Sequence, residues 1–242
     1  MKNADAVISL THSGLKELIE VYPDIPLQQK TKIIPCCTNT DLFNREHLQT
    51  PLRYQPQPND HLIIYTGSIG TWYFTREMID CMIVWKQKIP NLKLLIVTRD
   101  TEVLVEVLKN YSVEQRELIH YEQASYAEVP AYLALAKAAI FFIKPAYSKI
   151  ASSPTKMAEC WAMDLPIITN AGIGDNDIYF KNDLGGILLS EFSEKEYLLS
   201  CQTYLELLKK PNNYRSIALE HFDLKMAVER YTGIYEKLTA WN

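Results

Sequence analysis

The sequence lacks most of the features that would settle a function at once, and each absence narrows the field. No apolar run approaches the ~18 residues of a membrane-spanning helix. The N-terminus lacks the basic-then-apolar order of a signal peptide. There is no excess of basic charge: a net charge of −4 leaves no electrostatic footprint for nucleic acid. The five cysteines, Cys36, Cys37, Cys81, Cys160 and Cys201, form no CxxC pair and no metal-ligand spacing. Their odd number and apolar settings suggest buried reduced thiols in a cytoplasmic protein, with peripheral contact at the inner face of the membrane left open. The five histidines (His12, His47, His61, His120 and His221) show no i,i+4 pairing, and both GxSxG and a Walker loop are absent. Metal chemistry and serine-type hydrolysis are therefore poorly supported, and no metal or other cofactor is expected.

What is present is an ordinary globular composition, 48% hydrophobic and 22% charged over 242 residues. That length suits one large domain, or one domain and a fragment. Short β-rich runs alternate with helical patterns. Strands are expected at 62–66, 92–98, 117–121, 138–143, 166–169 and 186–189, and helices at 74–88, 101–110, 126–136, 154–164 and 193–209. Runs such as Leu92–Val97 and Ala138–Ile143 are apolar throughout, as in strands buried on both faces of a parallel sheet. The alternation argues an α/β fold, a doubly wound, Rossmann-like parallel sheet whose ligands bind at the carboxyl ends of strands. Ahead of it lie a strand at 6–10, a helix at 13–21, a second strand at 32–35 and a Pro-rich link at 44–60. This leading piece fits poorly as the start of the sheet, and residues 1–30 read as the tail of a preceding domain. A helical C-terminal extension, 212–241, is amphipathic throughout.

Two stretches carry candidate chemistry. Ser152-Ser153-Pro154-Thr155-Lys156 opens a helix, with Ser153 expected as N-cap and Pro154 as first helical residue. Lys156 then sits near the positive end of the helix dipole, which makes sense if an anion binds among the first amides. A capped helix with an exposed lysine explains the same letters equally well. Glu159 shares a helix side with Thr155 and Lys156, and its two oxygens could accept from a pair of diol hydroxyls. A solvent-facing Glu159 beside Lys156 is the plain alternative. Tyr65-Thr66-Gly67-Ser68-Ile69-Gly70 is a glycine turn between strand and helix, without the third glycine of a dinucleotide fingerprint. Lys144 and Lys149 follow a buried strand and could neutralise a diphosphate, while Tyr121 and Gln123 could present a ring or an amide to a base.

Taken in order, these segments resemble the nucleotide-sugar-dependent glycosyltransferases of the GT-B fold, of the family-4 retaining type. Lys32–Phe43 is similar to the family's interdomain linker, Tyr65–Tyr73 to the opening loop of its donor domain, and Ser152–Asn170 to its donor-ribose helix. Gly172-Ile173-Gly174-Asp175 follows as in a bacterial polysaccharide-associated subgroup. The resemblance implies a remnant of the acceptor domain and linker at 1–43, a donor-binding domain at 44–211 and crossing helices at 212–242. It implies Glu159 on the ribose, and Gly67, Ser68, Lys144, Ser152, Ser153, Thr155 and Lys156 around the diphosphate. Tyr121 and Gln123 remain the candidates for the base. Ala151 stands where the family has the first glutamate of its pair, and neutral Ser68 and Tyr73 stand where it has basic residues. The expected partners are a nucleotide sugar and an acceptor half, carried by another domain or another chain. The activity implied is sugar transfer in bacterial surface polysaccharide synthesis. Alternatives are a non-catalytic nucleotide-sugar binding module and a nucleotide-sugar epimerase relative.

Overall fold

A computed structural model describes residues 1–47, 53–181, 184–211 and 213–240. The Pro-rich link thus lies partly outside the described residues. Six parallel strands form the main sheet: β3 (His61–Thr66), β4 (Leu92–Val97), β5 (Ile119–Glu122), β6 (Ala138–Ile140), β7 (Ile167–Asn170) and β8 (Gly186–Leu189). Their order across the sheet is β5-β4-β3-β6-β7-β8. Counted from β3 that is 3-2-1-4-5-6, so the winding direction reverses between β3 and β6.

The apolar runs behave as expected of strands covered on both faces. Leu62, Ile63, Ile64, Leu94, Leu95, Ile140 and Ile167 are all at most 1% exposed. Helices α3 (Thr75–Lys86), α4 (Thr101–Leu108), α6 (Val129–Ala134), α7 (Thr155–Ala162) and α9 (Glu194–Leu207) supply the cover. Trp85 of α3 stacks on Tyr204 of α9 at 4.9 Å and donates to the Tyr197 carbonyl at 2.9 Å, which locks these two helices together. The short α5 (Val113–Arg116) and α8 (Asn176–Tyr179) were not anticipated, being single turns with no apolar period to read.

Two elements depart from expectation for local reasons. β6 ends at Ile140 rather than Ile143, because the Asn170 side chain takes over the pairing. It accepts from the Ile143 amide at 2.8 Å and donates to the Ile143 carbonyl at 3.0 Å. The C-terminal extension is not one helix. It breaks between α10 (Tyr214–His221) and α11 (Leu224–Thr239), where Phe222 is fully buried and Asp223 caps the second helix on the Lys225 amide.

The leading piece folds separately. β1 (Val7–Ser9) and β2 (Thr31–Ile33) form a two-stranded parallel sheet, joined through α1 (His12–Val21) and α2 (Leu27–Lys30). It meets the main body through polar contacts. Asp175 caps α1, accepting from the His12 and Ser13 amides at 2.7 and 2.9 Å. The Thr38 amide bonds to the Phe222 carbonyl at 2.9 Å. Arg215 grips the linker through the Thr40 and Phe43 carbonyls at 2.9 and 2.7 Å.

Candidate functional site

Part of the expected site converges on the carboxyl ends of β3 and β4 and the start of α7. After β3 the chain turns through Gly67 and Gly70, both at positive φ (130° and 85°), conformations that side chains rarely adopt. A Cβ at Gly67 would lie 2.8 Å from Lys156 Nζ, so a side chain there would have to displace the tip of that lysine. Asp100, following β4, accepts from the Ile69 amide at 2.8 Å and ties this loop to its neighbour.

Two adjoining clefts open on this edge. One, of about 320 Å³, is lined by residues including Gly67, Ser68, Thr98, Arg99, Ala124 and Tyr126. The other, of about 300 Å³, is lined by residues including Gly67, Tyr73, Tyr126, Thr155, Lys156 and Glu159. Thr66, Gly67, Tyr126 and Val129 belong to both, so the two form one groove beside the switch point.

Helix α7 begins one residue later than the sequence reading placed it. Pro154 is the N-cap, with ψ at 119°, and Thr155 is the first helical residue. Ser153 does not cap the helix, because its hydroxyl accepts instead from the Cys36 amide of the linker at 3.1 Å. Proline has no side-chain acceptor, so no side chain caps the start of α7. An uncapped helix start facing a cleft can receive an anion.

Lys156 is neither a solvent-exposed lysine nor a freely extended one. Its Nζ lies 3.7 Å from the Tyr73 ring centre, 4.4 Å from that of Tyr65 and 5.6 Å from that of Phe141. It also bonds to the Tyr65 hydroxyl at 3.2 Å. That hydroxyl donates its proton to the Ser68 carbonyl, so its oxygen is left to receive the lysine. Burial pushes the ammonium down to about 7, against smaller opposing pulls from Cys160 and Glu159.

Glu159 is only 9% exposed, which rules out the solvent-facing alternative. Burial raises its carboxyl above the usual range, while the Tyr126 hydroxyl and Lys156 draw it back. A buried carboxylate lining a cleft, with the Tyr126 hydroxyl as one donor, has acceptor capacity left for a ligand.

Gly67, Ser68, Thr155, Lys156 and Glu159 are thus brought together, and the other expected site residues are not among those lining the groove. Ser152 and Ser153 lie in the preceding turn, the latter engaged with the linker. Lys144 is exposed, its amide bonded to the Trp72 carbonyl at 2.9 Å. Lys149 covers the Trp72 ring at 4.4 Å. Tyr121 and Gln123 sit outside on the β5 edge, where Gln123 donates to Thr101 Oγ1 at 3.3 Å and its carbonyl accepts from Arg53. The sequence reading gave no site role to Tyr126 and treated Tyr73 only as an absent cation. Tyr126 could have been found from its place just past a strand, in the Ser125–Glu128 capping box that starts a helix.

In a doubly wound sheet ligands bind in the crevice at the switch point, and the groove lies there. No family model matches the sequence, and no curated protein does. Solved structures match along nearly all of it. A glycosyltransferase from Rickettsia africae ESF-5 superposes with a TM-score of 0.70 at 15% identity, covering 97% of this chain and 64% of that one. Anabaena HepE, solved with UDP and glucose, gives 0.68 at 16%, covering 98% and 63%. Sucrose-phosphate synthase of Thermosynechococcus elongatus gives 0.64 at 19%, covering 100% and 60%. The fold is that of the GT-B glycosyltransferases, and the chain spans less than two thirds of each of these relatives.

Proposed function

We propose that this chain is the donor-binding part of a glycosyltransferase that moves a sugar from a nucleoside diphosphate to an acceptor, in bacterial surface polysaccharide synthesis. The observation that carries the reading is the placement of Lys156 and Glu159 on one side of α7, both lining a groove at the switch point. Glu159 accepts from the two ribose hydroxyls, Thr155 and Lys156 meet the diphosphate, and Gly67 lets the backbone approach it. The base lies along the cleft toward Thr98, Arg99 and Ala124, in place of the expected Tyr121 and Gln123. The contribution to rate is orientation and stabilisation of the departing diphosphate, with no protein nucleophile.

The acceptor half docks where β1–β2 faces α11. A cleft of about 860 Å³ separates them, lined by residues including Lys32, Ile33, Tyr179, Arg230, Ile234 and Leu238. Val228 and Tyr235 on α11 are 54% and 64% exposed. Parallel sheets are found with both faces covered, and this two-stranded one has room for more. Ala151, in place of the first glutamate, favours a second reading: a module that binds the nucleotide sugar without transferring it.

Calorimetric titration with UDP, GDP, UDP-glucose and GDP-mannose tests the site. Binding is expected to weaken at least tenfold in Glu159→Ala, whose partner hydroxyls would lose their acceptor. Undiminished affinity in that variant, or binding of none of the four, overturns the assignment. Transfer by the chain together with its acceptor half, and by neither alone, separates an enzyme from a binding module.

A further inference from the structure

Building on the donor-site reading, we propose that the groove takes up a proton when it binds a nucleoside diphosphate sugar, and that this proton resides on Lys156 Nζ. The geometry is that of an amine stored among rings. Tyr65 of β3, Tyr73 of the loop before α3 and Phe141 beyond β6 flank it at 4.4, 3.7 and 5.6 Å, Gly67 lies beside it, and the side toward the cleft stays open. Such an enclosure strips water from an ammonium. The ring faces return part of that loss. Burial outweighs that return and brings the amine down to about 7, so the charged fraction falls as pH rises through the neutral range.

A diphosphate diester entering the same cleft reverses the balance. Its charge does not change near neutral pH, so it cannot supply or absorb the proton itself. Its two negative charges against Nζ favour the ammonium, the N–H bond forms at the amine lone pair, and the proton comes from buffer. The other titratable groups facing Lys156 are Glu159 and Cys160 on its own helix, Tyr65 on β3, Tyr73 before α3 and Tyr126 across the cleft. Burial raises the cysteine and the three tyrosines from values already at or above 9, which leaves them protonated throughout pH 6–8. Glu159 is the one competing site, since its carboxyl is also raised.

The test is calorimetry of the full chain with UDP-glucose and GDP-mannose at pH 8.0, in two buffers of different ionisation enthalpy. The wild type is expected to take up about 0.5–0.9 proton per ligand bound. Glu159→Gln retains that uptake with weaker binding. Lys156→Arg, whose guanidinium is charged at any accessible pH, binds with none. A second readout needs no variant: wild-type affinity is expected to fall up to tenfold per pH unit as pH rises above the titration of Lys156. Equal enthalpies in both buffers, flat affinity from pH 6 to 9, or uptake persisting in Lys156→Arg overturns proton coupling alone. Binding of neither nucleotide sugar overturns the donor-site reading and the coupling with it.

Discussion

The six-stranded sheet and the two-stranded leading piece are held by different forces. The large sheet is closed by apolar burial: Trp85, Trp161, Tyr204 and Phe142 are completely buried among rings and aliphatic chains. Among residues 1–42 only Leu27 and Ile34 are buried hydrophobic side chains, and neither joins that core. The leading piece is attached by hydrogen bonds instead: the α1 amides donate to Asp175, the Cys36 amide of the linker donates to Ser153, and Arg215 donates to the linker carbonyls. Buried area is additive and non-directional, whereas a few polar contacts hold one geometry and release it at small cost. The first region is therefore a platform, and the second is a joint. Ser153 shows how closely the joint approaches the site: it lies two residues before α7 and grips the linker rather than the helix.

The contrast can be broken most forcefully at Trp161, which packs against Tyr179, Phe180 and Phe222 and donates to the Gly185 carbonyl at 2.7 Å. Trp161→Ala is expected to cost on the order of 3–5 kcal/mol in urea unfolding. A loss below about 1 kcal/mol would deny that apolar packing dominates the platform. Asp175→Ala should cost about 1–2 kcal/mol, the value of a helix cap. Hydrogen exchange should then quicken over residues 7–33 while β3–β8 keep their protection. Equal acceleration in both would show that the two regions open as one. At the bottom of the scale, Lys109→Ala breaks an ion pair with Glu106 whose partners are 64% and 68% exposed. A change in stability within about 0.5 kcal/mol is expected, because solvent screens such pairs. A larger one would mean that surface charge matters to this fold as much as the polar joint does.

Fold and site were legible to different depths. The strand runs of β3, β4 and β8 could be read nearly to the residue, because a strand buried on both faces must be apolar along its length. β6 was overrun by three residues, since nothing local announces that Asn170, 27 positions on, replaces the ladder. Spacing placed Thr155, Lys156 and Glu159 on one helix side, and the family resemblance supplied their expected roles. Lys144, Tyr121 and Gln123 did not join them, because a place near a strand end does not fix which way a side chain turns; Ser152 and Ser153 lie in the turn before α7, where the linker engages Ser153. Tyr73 and Tyr126 of the groove, and Tyr65 and Phe141 against Lys156, were given no such role, as Tyr and Phe in such settings read as core.

The sequence by itself determined the α/β alternation, the parallel sheet and the unusual lysine at the start of α7. Those features follow from periodicity and helix end chemistry, which act over a few neighbouring residues. Only the tertiary structure decided where that lysine's charge goes. Tyr65, Tyr73 and Phe141 come from three separate segments, and whether they solvate an ammonium or merely fill a core depends on distances that no local pattern encodes.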